Sequence, residues 1–155
     1  MADTAFEMDY PGVKGKMSIM VQDPFDPATP QNVIETIDPW QIDVKWEIDD
    51  VGAALMGGTW FITAYLDDRD GEATFSGRVA PTIEVKVNSA PSLPLPRQYE
   101  TLIKVPAGKV SKGLYDLTVA IVYENTAGPG TDKGIKQSVA GFSDGPTLEF
   151  YETTP

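Results

Sequence analysis

Apolar and polar residues alternate with a period of two along several segments of this chain. The clearest segment is residues 41–49, and the next is residues 114–124. Because successive side chains on a β-strand point to opposite faces, each segment predicts a strand with one buried face and one wet face. The buried stripes supply the expected structural core, which includes Trp46, Tyr115, Leu117 and Val119.

Loops rich in proline and glycine separate eight or nine predicted strands, and no segment shows a convincing helical period. Residues 23–32 and 88–97 are long Pro-rich crossings, and the prolines of 24–30 are expected to prevent regular pairing. Long crossings suit Greek-key connections between two sheets, whereas an up-and-down barrel would favour tight hairpins. The sequence therefore predicts an all-β Greek-key sandwich of antiparallel strands. Residues 1–12 are expected to form an N-terminal arm, and residues 13–155 a single domain.

One segment goes beyond periodicity. Leu102–Gly108 is followed by the run Gly113-Leu114-Tyr115-Asp116-Leu117-Thr118-Val119. Together they resemble the E strand, E–F loop and F strand of immunoglobulin-like and fibronectin-type-III-like domains. The resemblance implies an immunoglobulin-like sandwich in which Tyr115 forms a tyrosine corner, and in which the strands holding Trp46 and Trp60 are B-like and C-like. The chain lacks the paired cysteines of antibody domains, and a sandwich of this kind hosts many unrelated functions.

Charge and missing residue types exclude several kinds of chemistry. The chain has 12 Lys and Arg against 23 Asp and Glu, a net charge of −11, which disfavours nucleic acid and anionic lipid as partners. It has no Cys, so it has no disulfide, thiolate nucleophile or zinc–sulfur site. It has no His, which excludes a Ser-His-Asp triad, a histidine base and histidine-ligated metals. We therefore expect that the chain is not an enzyme.

A Gly-x-Ser-x-Gly pattern occurs at Gly141–Gly145. In hydrolases this pattern is a nucleophile elbow, which needs a strand–turn–helix setting and a histidine to deprotonate the serine. Neither is expected here. The sequence predicts instead a turn between two strands, at residues 136–142 and 147–152.

Acidic residues gather between two predicted strands, at residues 67–72. Carboxylates on a loop can supply the oxygen ligands that Ca²⁺ prefers, and the candidates are Asp68, Asp70 and Glu72, with Asp49 or Asp50 from a neighbouring loop. The spacing does not fit an EF-hand loop. A solvated hairpin tip is the alternative interpretation.

Trp60 and Phe61 are adjacent, so one of these two large rings must face away from the core. Tyr65 follows on the same face as Phe61, and Ala120 and Val122 make the outer face of the Tyr115 strand less polar than expected. Neighbouring apolar residues on an outer face usually mark a partner site. We predict a protein contact through Phe61, Tyr65, Ala120 and Val122. The alternative is that a loop or the N-terminal arm covers them.

These observations favour a non-enzymatic structural or protein-binding sandwich that associates with itself or with another protein. A subunit or accessory component of a surface, fibre or phage-tail-like assembly fits this description. The alternative is a carbohydrate- or calcium-binding module that uses Trp40 or Trp60 with acidic loops, and Ca²⁺ is then the only expected cofactor. No apolar run reaches the roughly 18 residues of a membrane span. The start of the sequence has no signal-peptide pattern, so we expect a cytoplasmic protein or part of an assembly released without one.

Overall fold

The computed structural model describes residues 3–7, 14–49, 59–69, 75–86, 97–124 and 139–152. Within these ranges the chain forms eleven β-strands and no helix, which confirms the all-β prediction. The strand count exceeds eight or nine because some strands are too short for alternation to reveal. The strands are β1 (Asp3–Glu7), β2 (Lys14–Asp23), β3 (Asp26–Pro30), β4 (Val33–Glu35), β5 (Trp40–Asp49), β6 (Thr59–Asp68), β7 (Gly77–Arg78), β8 (Ile83–Lys86), β9 (Arg97–Val105), β10 (Gly113–Glu124) and β11 (Val139–Tyr151).

The strands form two sheets. The first has the order β1-β2-β5-β9, with β3 also paired to β2, and the second has the order β4-β11-β10-β6-β7, with β8 also paired to β6. In this order β2, β5 and β9 take the places of immunoglobulin strands A, B and E, while β6, β10 and β11 take those of C, F and G. The fold is therefore an immunoglobulin-like Greek-key β-sandwich, as predicted.

One strand pair departs from the expected antiparallel arrangement. Strand β4 runs parallel to β11, with Val33 opposite Glu149 and Glu35 opposite Tyr151. No hairpin joins these two strands, which lie far apart in the sequence, so no tight turn imposes an antiparallel direction. The other strand pairs of the described residues are antiparallel.

The Pro-rich segment after β2 is partly a strand, so the prediction of an unpaired loop was wrong there. Strand β3 pairs with β2 at two positions, Gln22 with Pro30 and Asp23 with Asp26, and the register shifts between them. All five residues of β3 are exposed. Proline cannot donate a ladder hydrogen bond, which confines such a segment to an edge hairpin with few bonds.

Residues 141–145 belong to one long strand, β11, so the predicted turn was wrong. Ser143 pairs with Val119 inside this strand, which is not the setting of a nucleophile elbow. A register shift lies opposite Asp116 and Thr118, and it lets the chain bend without leaving the sheet. Gly145 lies at this shift, where an added Cβ would stand 2.8 Å from Ile19 Cδ1 and 3.0 Å from Leu117 Cδ2. The register shift therefore lies where the two sheets approach closely, and glycine leaves room for that approach.

The two inner faces meet in a core that includes the predicted stripes. Trp46, Tyr115, Leu117 and Val119 are each at most 2% exposed. Trp46 from the first sheet makes an edge contact with Trp60 from the second, with ring centroids 6.1 Å apart and ring planes at 70°. Such aromatic contacts add to the stability gained by burying the rings.

Tyr115 makes the hydrogen bond of a tyrosine corner. Its hydroxyl donates to the backbone carbonyl of Ser111 at 2.9 Å, while the ring is fully buried against Phe150 and Phe75. The bond joins the start of β10 to the preceding β9–β10 connection, which holds that crossing of the two sheets in place.

Candidate functional site

The outer surface of the second sheet brings the four predicted contact residues together. Phe61 pairs directly with Val122, and Ala120 pairs with Thr63. Direct partners in antiparallel strands carry their side chains on the same face of the sheet. We call this surface the β6 face, and it comprises Phe61, Thr63, Tyr65, Arg78, Thr82, Glu84, Thr118, Ala120 and Val122.

Exposure is uneven across the β6 face. Tyr65 is 43% exposed, whereas Phe61 and Val122 are half-buried. Ala120 was predicted to contact a partner, but it is only 7% exposed because its methyl group is shorter than the side chains around it. It lies on the predicted face and offers a partner little area. Of the four residues, Phe61, Tyr65 and Val122 therefore supply most of the accessible apolar area.

A row of small side chains crosses the middle of the β6 face. Thr63 is 8% exposed, and its Oγ1 lies 2.8 Å from Oγ1 of Thr82, so one of these two hydroxyls donates a hydrogen bond to the other. With Ala120 beside Thr63, this middle row is lower than the rows on either side of it. The face thus has a shallow centre between two larger aromatic side chains, Phe61 and Tyr65.

Two opposite charges flank the aromatic residues. Arg78 is the direct neighbour of Tyr65, and Glu84 is the direct neighbour of Phe61. Both charged side chains are exposed. Within the described parts of the chain, neither has an ion-pair partner. The β6 face therefore carries one cation and one anion at opposite ends of the same edge.

The three tryptophans are core residues, which corrects the proposed use of Trp40 or Trp60 in sugar binding. Trp40 is 1% exposed and Trp60 is 0% exposed. Their rings pack between the sheets, Trp40 against Phe150 and Trp60 against Tyr123. A ring with no accessible face cannot stack on a sugar. Of the adjacent pair Trp60 and Phe61, it is Phe61 that faces outward.

The calcium candidates lie mostly outside the described residues. Asp70, Glu72 and Asp50 are outside them, and Asp49 is described only through its backbone in β5. Asp68 ends β6, opposite Tyr115 of β10. Among the residues that the structure describes, no three acidic, His or Cys side chains gather in a group able to hold a metal ion. The calcium site stays a prediction.

Arg69, which follows β6, binds to the second sheet through its backbone and its side chain. Its backbone N–H donates to the carbonyl of Leu114 at 2.9 Å, and its Nη1 donates to Thr147 Oγ1 at 2.9 Å. Asp116 Oδ1 lies 3.8 Å from Arg69 Nη1 and accepts a hydrogen bond from Thr147 at 3.1 Å. The chain that immediately precedes Asp70 is therefore fixed to the second sheet.

The outer surface of the first sheet carries a shallow charged groove of about 460 Å³. Two ion pairs span it: Lys16 Nζ lies 3.0 Å from Glu47 Oε1, and Lys45 Nζ lies 3.5 Å from Glu100 Oε2. The charges of the groove are thus paired with one another along neighbouring strands. Exposed pairs of this kind add little stability and leave little net charge for a ligand.

Asp43 differs from the other charged residues of that surface because its carboxylate is buried. It is 8% exposed, and no described residue forms a hydrogen bond with its Oδ1. Burial raises the pKa of the Asp43 carboxyl above its ordinary value, nearby Glu100 raises it further, and Lys45, at 3.7 Å, opposes both. Asp43 lies in register with Met20 and Leu102, whose side chains flank it on the same face.

The two most exposed large apolar residues among those described were not predicted from the sequence. Phe25 is 87% exposed in the turn between β2 and β3, and Ile37 is 69% exposed in the turn before β5. Both lie in short turns, where no alternation marks an apolar residue as inward or outward. For Phe25, the sequence feature that could have indicated exposure is its position as an isolated apolar residue directly after Pro24.

No protein-family model matches the chain, and neither does any curated protein sequence. Among solved structures, a β-glucosidase from Listeria innocua is similar to 90% of this chain at 10% identity with a TM-score of 0.47. This chain spans only 16% of that enzyme. A CARDB domain from Pyrococcus furiosus, solved with di-metal ions, is similar over 94% of this chain and 91% of its own length, at 7% identity with a TM-score of 0.45. Similarities this distant carry no inference about activity or ligands.

Within the described residues, no helix has the length and apolar character that a membrane span requires.

Proposed function

We propose that this chain is a non-enzymatic, protein-binding β-sandwich that serves as a structural subunit or accessory component of a larger assembly. The observation that carries the proposal is the β6 face, where Phe61, Tyr65 and Val122 lie outward on adjacent strands. Aromatic residues are enriched at protein interfaces because a large, rigid ring buries much area at little cost in conformational entropy.

The chemistry of the chain supports a binding role over a catalytic one. The sequence has no histidine and no cysteine, the residues that most often serve as general base or activated nucleophile. Its carboxylates on the groove of the first sheet are engaged in ion pairs, such as Glu47 with Lys16. A surface, fibre or phage-tail-like assembly is the setting that we propose for such a subunit.

Affinity capture with matched variants tests this function. The tagged chain, Phe61→Asp and Phe25→Asp are each used as bait in extract of the source organism, with chemical cross-linking before washing. Both variants replace an outward phenylalanine by aspartate, so they change the charge equally. We expect the wild type and Phe25→Asp to retain the same protein, either another chain or this one, and Phe61→Asp to lose it.

Folding controls accompany the capture. Phe61 is half-buried, so Phe61→Asp is compared with Tyr65→Asp, which removes a more exposed ring, and both are checked by circular dichroism and thermal melting. Capture that depends on Phe25 and not on Phe61 or Tyr65 places the contact at the β2–β3 hairpin and contradicts the proposal. Capture that none of the three substitutions changes also contradicts it.

A further inference from the structure

The β6 face has an internal symmetry that suggests its occupant. Along β6, Phe61 lies two residues before Thr63 and Tyr65 lies two residues after it, so each ring is roughly 7 Å from the middle row. Glu84 accompanies Phe61 and Arg78 accompanies Tyr65, both on the same edge of β6. If the direction of β6 is reversed about Thr63, Phe61 takes the position of Tyr65, and Glu84 takes the position of Arg78.

A two-fold axis performs that exchange. The axis lies parallel to the sheet, perpendicular to β6 and above Thr63, and it packs the faces of two copies together with their strands antiparallel. Tyr65 of one copy then faces Phe61 of the other, and Arg78 of one copy faces Glu84 of the other. Each contact occurs twice, which is the property of an isologous interface.

We propose that the β6 face binds the β6 face of a second copy of this chain, forming a two-fold symmetric dimer. This inference rests on the proposed function, because it names the partner for the same surface. The charges carry it: within the described residues Arg78 and Glu84 have no ion-pair partner, and each meets its complement only when the second copy is reversed.

The shape of the face agrees with this pairing. Stacked sheets lie about 10 Å apart, so side chains from both must share the space between them. The low middle row of Thr63, Thr82 and Ala120 leaves room for the four rings to lean toward the axis. Thr63 and Thr82 already share one hydrogen bond, so covering them leaves one hydroxyl hydrogen, not two, in need of a partner.

The net charge of −11 on each copy sets the conditions for the test. Two such copies repel over long distances at low salt. At about 0.15 M salt the screening length is about 8 Å, which weakens that repulsion more than it weakens contacts between facing side chains. A small interface of this kind is expected to dissociate at micromolar concentrations, so the chain is measured from about 1 to 500 µM.

The experiment is sedimentation equilibrium of the full chain and its charge variants. Arg78→Glu alone sets two carboxylates against each other at both contacts, and Glu84→Arg alone sets two cations against each other. We expect each single variant to dimerise at least tenfold more weakly than the wild type. Because both positions are exposed, neither change should alter the melting temperature at concentrations where the wild type is monomeric.

Mixing the variants gives the decisive result. An equimolar mixture of Arg78→Glu and Glu84→Arg restores opposite charges at both contacts, and so does the double variant that carries both substitutions. We expect a heterodimer in the mixture and a homodimer of the double variant, each within threefold of wild-type affinity. The matched control is Lys45→Glu on the opposite sheet, which should leave wild-type dimerisation unchanged.

Two outcomes overturn the proposal. One is a wild-type chain that stays monomeric up to 500 µM. The other is a dimer whose affinity none of the charge variants changes. If the chain is monomeric while a different protein is captured in a Phe61-dependent way, self-pairing fails and the proposed function stands. If Phe61-dependent capture is absent as well, both fail.

Discussion

Asp43 shows how a surface strand can carry a costly charge. Its position on the outer face predicts a solvated carboxylate, yet Met20 and Leu102 flank it and leave it 8% exposed. Burying a charged group without a full set of hydrogen bonds destabilises a protein, and the single cation nearby, Lys45, is 3.7 Å away. The raised pKa of Asp43 follows from this desolvation, with Glu100 adding to it.

The pH dependence of stability follows from that shift. A carboxyl whose folded-state pKa is raised stabilises the protein below its unfolded pKa, near 3.8, and loses this contribution as pH rises through the folded value. Asp43→Asn removes this decrease in stability, because asparagine does not ionise. We expect the variant to be more stable than the wild type by about 1 kcal/mol at pH 7, and equally stable below about pH 3.5.

Urea denaturation of both proteins between pH 3 and pH 8 measures this difference. Glu47→Gln is the control, because it also replaces an outer-face carboxylate of β5 by an amide but breaks the exposed ion pair with Lys16. It should cost between zero and about 1 kcal/mol at pH 7. A wild type that is more stable than Asp43→Asn at pH 7 would contradict the expected sign.

The hydroxyl of Tyr115 is the second residue-scale feature. Tyr115→Phe keeps the buried ring but removes the donor to the Ser111 carbonyl. We expect the free energy of unfolding to fall by about 1–2 kcal/mol, because the bond is lost and a partly buried acceptor loses its partner. Tyr65→Phe on the exposed β6 face should change it by less than about 0.5 kcal/mol. Equal effects of the two substitutions would mean that the corner bond contributes nothing.

At the scale of elements, β11 depends on one small residue. Gly145 lies where the strand shifts register and where Ile19 and Leu117 press closest to its backbone. Gly145→Ala can be accommodated if those side chains move slightly, whereas Gly145→Val needs a larger shift in a packed core. We expect losses of about 1 kcal/mol for alanine and about 2–3 kcal/mol for valine, measured by urea denaturation. A valine variant as stable as the wild type would show that β11 adjusts freely there.

The acidic segment at residues 67–72 is the second feature at this scale with a testable role. If Asp68, Asp70 and Glu72 bind Ca²⁺, millimolar calcium should raise the melting temperature, because a ligand that binds only the folded state stabilises it. Asp70→Asn should abolish that rise, and millimolar magnesium should not reproduce it. Calorimetry with no heat of calcium binding, together with an unchanged melting temperature, would remove the site.

At the scale of the whole molecule, the two outer faces have different characters. The first sheet presents lysines and carboxylates that are paired along neighbouring strands, such as Lys16 with Glu47. The second sheet presents the aromatic rings of the β6 face beside Arg78 and Glu84, which have no ion-pair partner within the described residues. A sandwich buries only its inner faces, so any partner must be met by the outer faces, the edges or the loops. The second sheet is the side better suited to a protein partner.

Much of this architecture could be read from local pattern. Alternation of apolar and polar residues reveals which face of a strand is buried, because a strand has a period of two wherever it lies. The buried stripes through Trp46 and Tyr115 could therefore be predicted. Because Trp60 and Phe61 are adjacent, it could also be predicted that their side chains lie on opposite faces of β6. The choice between those two rings was not, since both are large and apolar.

What tertiary structure alone decided are the features that depend on neighbours far along the chain. The burial of Asp43 needs Met20 and Leu102 beside it, and the continuity of β11 needs β10 to pair across a register shift. The placement of Arg78 beside Tyr65 and of Glu84 beside Phe61 needs β7 and β8 on one edge of β6. Periodicity is a local property of the backbone, whereas exposure and electrostatic pairing depend on which strands become neighbours when the two sheets assemble.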